Sequence, residues 1–217
     1  MPSSALFAGS RGPLIDALTE QADASGETVI LADTNISETD TSASYIRVPW
    51  APRSPLSARA VTTACVNACG SLERATVVIS PARGEASLTS AGISEIERYL
   101  DEEVRSFVYL VRELLSHMER SGQGWLTIVL LEPAEGTSTV FQSLAGGAAE
   151  AFVSTVLDHY RESGPPVFGF TGTDEQEDVS AFAQFIEAEQ RDRGTRIRGR
   201  MQRFGKRGAF RSLFSGN

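Results

Sequence analysis

The chain has 217 residues, of which 41% are hydrophobic and 22% charged, and its net charge is −8. That length supports one sizeable core, and the composition fits an ordinary globular protein. The acidic body argues against nonspecific nucleic-acid binding, and no apolar run approaches the roughly 20 residues of a membrane span.

The first residues have no cationic stretch ahead of their apolar ones, so no signal peptide is expected. Cys65 and Cys69 lie four apart and read as two small buried side chains rather than metal ligands. Together these readings place the chain in a reducing cytoplasm.

Residues 4–9 form a short apolar strand that runs into Gly9-Ser10-Arg11-Gly12 and then a helix from Pro13 to about Ala24. Proline suits the first helical turn, where its missing N–H costs nothing. Residues 28–32 make a second strand ending on Asp33, and residues 44–48 a third closed by Pro49. A helix over 56–69 is capped by Gly70, and residues 76–80 form a fourth strand. The spacing of Ile93, Ile96, Leu100, Val104, Phe107, Val111, Leu114 and Met118 predicts one long helix over about 93–120.

The stretch 125–157 organises the rest. Residues 125–131 are a continuous apolar run with β-branched members, the pattern of a strand buried on both faces of a parallel sheet. Residues 143–157 are a helix rich in small residues, and the loop 132–139 between them lies at the carboxyl end of the strand, where open α/β sheets bind ligands. A sixth strand over 166–171 and an acidic helix over 174–190 follow. This alternation predicts an α/β fold with a doubly wound parallel sheet, Rossmann-like, in three α/β/α layers. One domain is expected over 1–190, with a separate basic tail over 191–217. Nine of the 20 Lys and Arg residues fall between Arg191 and Arg211, where Asp192 is the only acid.

The ordered set of strings resembles the short-chain dehydrogenase/reductase family over about residues 4–172. Ala8-Gly9-Ser10-Arg11-Gly12 is similar to that family's opening Thr-Gly-x-x-x-Gly-x-Gly turn, Asp33 to its ribose-holding acid, and Ser80-Pro81-Ala82-Arg83-Gly84 to its Asn-Asn-Ala-Gly. The resemblance implies Gly9, Arg11, Gly12, Asp33 and Arg83 as cofactor-binding positions. Asp33 would repel a 2′-phosphate, so a bound dinucleotide would be NAD rather than NADP.

The departures matter as much. The glycine turn is one residue short, and Leu14 stands at the third glycine, where it would push the helix away or fill the phosphate space. The family's catalytic serine falls at Leu131 or Glu132, its structural asparagine at Glu103, and its Tyr-x-x-x-Lys pair at Ser143 and Gly147. Little chain remains after the sixth strand for a substrate segment or a seventh strand. Glu132 and Glu135 are candidate substitutes for acid–base work, although solvated loop carboxylates are the commoner reading. His117 and His159 are not placed to serve a serine nucleophile.

The expectation is therefore a family-like pseudoenzyme with no cofactor, acting as a binding or scaffold module. The alternative is an enzyme that binds NAD and uses atypical residues. A homodimer or dimer of dimers is expected through helices 93–120 and 143–160, with Ala145, Gly146, Ala149 and Val153 as a face for close helix packing. The basic tail reads either as a solubilising or self-docked end, or as an arm for an acidic protein, RNA or membrane surface.

Overall fold

The computed structural model describes residues 3–34, 45–82, 87–133, 138–173 and 179–205. Seven strands form one sheet: β1 Ser4–Gly9, β2 Thr28–Asp33, β3 Ile46–Pro49, β4 Arg74–Ile79, β5 Trp125–Glu132, β6 Val167–Thr173 and β7 Met201–Arg203. Their spatial order is β3-β2-β1-β4-β5-β6-β7, and every pairing is parallel. The chain reverses its direction of travel across the sheet between β1 and β4, and this switch point is where such sheets open a crevice.

Helices α1 (Pro13–Ala24) and α6 (Val179–Ile197) cover one face. Helices α2 (Pro55–Cys69), α4 (Ser106–Ser121) and α5 (Val140–His159) cover the other. The two-residue period of the strands sorts the core between them. Leu6, Ile30, Val77 and Ile128 pack under α2, α4 and α5. Phe7, Leu31, Val78 and Val129 pack under α1 and α6. Phe170 and Phe182 are fully buried, each contributing about 2–3 kcal/mol of transfer free energy. Ser54 caps α2 at its start, and the left-handed Gly70 ends it. Cys65 is buried in this core, as the small-side-chain reading expects, while Cys69 is only half-buried.

Three expectations need correction. The helix foreseen over 93–120 is one helical run to Ser121 but is not uniform: α3 (Ile93–Leu100) passes through a π-helical turn, Asp101–Arg105, into α4. No residue of α3 or the π turn is buried, and Ile93 is 78% exposed, so the apolar stripe is core only from Phe107 onward. The π turn swings Glu103 onto the loop after β4, where its Oε2 accepts the Ala82 N–H at 2.9 Å.

The second correction concerns α5. Its 20 residues are long and apolar enough to cross a membrane by length and composition, which the count of unbroken apolar runs did not register. Here it lies on the sheet and buries Phe141, Gln142, Ala145, Ala149, Val153 and Leu157. The small face foreseen for contact between subunits is therefore mostly spent inside the protomer, since Ala145, Ala149 and Val153 are fully buried.

The third concerns the tail. Residues 191–205 are not an appendage: α6 continues to Ile197, and β7 extends the sheet to a seventh strand. Gly199 makes the turn between them at φ +66°, where a Cβ would sit 2.8 Å from the Leu157 carbonyl oxygen. Arg198 donates to the carbonyls of Tyr160 at 3.0 Å and Gly164 at 2.7 Å, and Phe204 stacks on Phe182 at 4.7 Å between ring centroids. Lys206, Arg207 and Arg211 lie outside the described residues.

Ending the chain after Gly205 should leave the melting temperature within a few degrees of the full chain. Ending it after Gln190 removes Ile197, β7 and Phe204, a loss comparable with the roughly 5–15 kcal/mol that holds a domain together. It should abolish the cooperative unfolding transition seen by circular dichroism.

Candidate functional site

The carboxyl edge of the sheet at the switch point is built around the exit of β1. Gly9 has φ +117°, and a Cβ there would stand 1.9 Å from the Val78 carbonyl oxygen, so only glycine fits. The Ser10 N–H donates to that same oxygen at 2.8 Å. The Ser10 hydroxyl donates to the Ser80 carbonyl at 3.1 Å and accepts from the Ser80 N–H at 3.0 Å. This double stitch closes the shortened glycine turn onto β4. Gly12, at φ 168°, has extended backbone that any residue could adopt, and a Cβ there would meet nothing.

Two clefts meet at Ser10, Arg11 and Val78. The larger, about 370 Å³, opens toward β2 and β3 and is lined by Thr34, Trp50, Arg53, Glu103 and Phe107 among others. The smaller, about 270 Å³, lies under the start of α1 and reaches Ser80, Leu131 and Thr173. Helix α1 has no side-chain cap, and the positive end of its dipole borders this space; Pro13 has no N–H, and those of Ile15 and Asp16 donate to the Gly12 carbonyl. Leu14 is 3% exposed and packs into the core with Ala5 and Phe7 while its edge lines the cleft.

Asp33 ends β2 as foreseen, but it is buried and held by two arginines. Arg11 reaches across from the glycine turn, with Nε 3.4 Å from Oδ1 and NH2 in contact with Oδ2. Arg47 of β3 brings NH1 to 3.9 Å from Oδ2. Arg11 also brings NH1 to 3.9 Å from Asp16 Oδ1, so these contacts set two guanidiniums among two carboxylates. Neither arginine as a partner of Asp33 was legible in the sequence, because they come from different strands' ends.

The positions that the resemblance matches to the Tyr-x-x-x-Lys pair lie on the outer side of α5. Ser143 and Gly147 are exposed on α5, and a Cβ at Gly147 would meet nothing. Leu131 is half-buried at the end of β5. Glu132, offered as a substitute base, is spoken for: Oε1 accepts the Thr171 hydroxyl at 3.0 Å and Oε2 pairs with Arg203. Its partner candidate Glu135, like the cofactor candidate Arg83, lies outside the described residues. His117 sits half-buried on α4 and His159 exposed at the end of α5, edge-on to Tyr160.

What sequence reasoning missed is a polar cluster around the loop 80–82. Tyr99 donates to the Ala82 carbonyl at 2.7 Å and lies against Phe141, with 5.5 Å between ring centroids. Gln142 is buried and donates from Nε2 to the Pro81 carbonyl at 2.9 Å, while its Oε1 finds no partner among the described residues. Burial, and then Glu103, pushes the Tyr99 phenol up to about 12. Burial also raises the Glu103 carboxyl, with Glu102 adding to it and the Ala82 N–H opposing. The carboxylate at the asparagine position was visible in the sequence; the π turn that aims it was not. Among the described residues no three His, Cys, Asp or Glu side chains gather as metal ligands.

No protein-family model matches the chain, and no curated protein sequence matches it. Solved structures do. A 3-ketoacyl-(acyl-carrier-protein) reductase from Brucella melitensis, complexed with NADH, superposes with TM-score 0.75 at 11% identity, covering 93% of this chain and 96% of that one. The NADH-dependent reductase A1-R′, complexed with NAD, gives 0.76 at 11% over 94% and 95%. A short-chain dehydrogenase from Streptomyces avermitilis gives 0.73 at 15% over 98% and 94%. At such identities the likeness establishes the fold: a Rossmann-like sheet of the short-chain dehydrogenase/reductase type.

Glu103 yields a pH prediction. Its folded carboxyl binds a proton more tightly than the unfolded one, so its contribution to stability is present below the unfolded pKa and lost as pH rises through the folded one. Glu103→Gln imitates the protonated form and keeps an oxygen for the Ala82 N–H. It should melt higher than the parent at pH 7, with the gap shrinking toward zero as pH falls through the carboxyl range. A variant less stable at pH 7 would show that the charged form is the one the fold prefers.

Proposed function

We propose that this chain is a short-chain-dehydrogenase-like protein without the family's hydride-transfer chemistry, acting as a binding module in a homo-oligomer. The observation that carries the reading is the missing acidified phenol at the β5–α5 edge. Exchange of a proton with a carbonyl or alcohol oxygen calls for a tyrosine whose pKa is lowered by a nearby ammonium. The matching positions hold Ser143 and Gly147, and Lys206 is the one lysine in the whole chain. Tyr99, the phenol that does reach this edge, has a carboxylate beside it and is pushed the wrong way, up to about 12. It holds its proton and spends it on the Ala82 carbonyl.

The second reading is retention of a dinucleotide, favoured by the joined clefts and by neighbours complexed with NADH and NAD. A nicotinamide cofactor, when bound, supplies the hydride. Gly9 would let backbone approach it, the uncapped start of α1 would face its phosphates, and Arg11 would have to leave Asp33 to free that carboxylate for ribose hydroxyls. Binding and chemistry are thus separable here. Thermal shift separates the two readings: a ligand at a hundred times its dissociation constant adds about 2.7 kcal/mol. A binding module for other partners gives no shift with NAD or NADP, and a retained dinucleotide site gives one that Gly9→Val removes.

The homo-oligomer would form through the outward face of α5 and the neighbouring α4. Val140 is 58% exposed and Leu144 51%, and Gly147 and Ala151 continue the same face as exposed small residues. Such a surface lets a second helix approach closely. Light scattering at micromolar concentration should give a multiple of the 23.3 kDa chain mass, and Leu144→Glu should return it to the monomer. A monomeric mass for the parent would end this part of the proposal.

Reinstating the family's pair by Ser143→Tyr with Gly147→Lys should not produce nicotinamide turnover on a panel of alcohols and carbonyls. The glycine turn stays short, and α6 follows β6 too soon for a substrate segment. Turnover in that double variant, or in the parent, would overturn the assignment.

A further inference from the structure

Helix α3 carries an apolar stripe that nothing in the described chain covers. Ile93, Ile96 and Leu100 stand at three- and four-residue steps, so they share one side of the helix. Ile93 is 78% exposed, Ile96 and Leu100 are half-buried, and Leu88, just ahead of the helix, is 56% exposed. On its inner side the helix is fixed by Tyr99, which reaches the Ala82 carbonyl and lies against Phe141. Acids rim the stripe: residues 92–105 hold five carboxylates against Arg98 and Arg105. Arg105 pairs with Asp101, and Glu103 accepts the Ala82 N–H. Glu95, Glu97 and Glu102 make no ion pair among the described residues.

The chain itself contains a stretch of matching chemistry. After Gly205 it reads Lys206-Arg207-Gly208-Ala209-Phe210-Arg211-Ser212-Leu213-Phe214, three cations and three large apolar residues with no acid. The residues that lead into this stretch already dock in the same manner: Arg203 pairs with Glu132, and Phe204 stacks on Phe182. The Phe204 N–H donates to the Thr171 carbonyl, which delivers the chain to the carboxyl edge of the sheet, the edge from which α3 also departs. β7 and β4 lie three strand spacings apart, about 14 Å. Phe210 and Phe214 follow Gly205 by five and nine residues, so extended chain carries them about 17 and 30 Å. The stripe is within that reach.

We propose that the apolar stripe of α3 is the docking site of this chain's own carboxyl-terminal segment, residues 206–214. Phe210, Leu213 and Phe214 cover Ile93, Ile96 and Leu100, while Lys206, Arg207 and Arg211 meet Glu95, Glu97 and Glu102. The apolar contact supplies most of the attraction, and the exposed ion pairs select the segment and its direction. A contact of this size leaves the fold independent of it, in line with the small melting shift expected on ending the chain after Gly205. It rests on neither the oligomer proposed above nor a bound nucleotide.

The test is photo-cross-linking of the full chain with p-benzoylphenylalanine placed at position 210 or, in a second variant, at position 214. The adduct should run at the mass of one chain on a denaturing gel, and trypsin should map it to residues 84–98 or 99–105. Ile93→Ser with Ile96→Ser should remove it, and Glu97→Lys with Glu102→Lys should weaken it severalfold. These positions are not buried, so both variants should melt cooperatively. The chain ended after Gly205 should bind more of the apolar dye ANS than the full chain, and the two serines should abolish the difference. An adduct of twice the chain mass would put a second copy's segment on the stripe, adducts scattered over other surfaces would leave the segment without a site, and equal dye binding by the two chains would leave the stripe uncovered. Each of these overturns the proposal.

Discussion

The rest of the molecule depends on the approach of β1 to β4 at Gly9. No side chain can stand between that residue and the Val78 carbonyl, and Ser10 then ties itself to Val78 and to both polar atoms of the Ser80 backbone. The chain must therefore turn sharply off the sheet at its switch point, which starts α1 above the crevice and sends Arg11 sideways onto Asp33. Both clefts share this turn as a common wall. A side chain at Gly9 would separate the two central strands and deform the crevice with them.

What the fold does with its charges follows from where the acids are buried. Asp33 is paired with Arg11 and Arg47, whereas Glu103 and Glu27 sit where burial raises their carboxyls. Glu103 stands beside the phenol of Tyr99 and stiffens its hold on its proton, the reverse of what an ammonium would do there. Glu132 is engaged by Thr171 and Arg203 from β6 and β7. Among the described residues of the carboxyl edge, Tyr99 and Glu132 are thus both engaged in hydrogen bonds beside the open clefts.

The sheet was legible because buried parallel strands are short apolar runs bounded by turn residues, and six of the seven announced themselves so. β7 did not: Met201, Gln202 and Arg203 carry no apolar run, and the strand exists because Gly199 and Phe204 anchor its ends on β6. The interleaved Phe204 was the one signal that the basic stretch belonged to the core. Periodicity found the long helix but could not register the extra residue of the π turn, since three- and four-residue steps continue across it. In α5 the pattern correctly marked 145, 149 and 153 as one face, but small residues serve a sheet as well as a second subunit, and the sheet took them. Asp33 was visible as an acid ending a strand. Its arginine partners were not, because contacts between strand ends leave no trace in local spacing.

The proposed function turns on an open crevice at the carboxyl edge that does not deliver a proton to a substrate oxygen. Its most direct test is label transfer at high protein concentration, using NADH deuterated at either face of C4 and a mixed panel of ketones and aldehydes, with the alcohols read by mass spectrometry. A single turnover per protein chain would register. The account predicts no deuterium in any alcohol beyond that found without protein. Stereospecific transfer from one face of the label, lost on replacing Gly9, would contradict it.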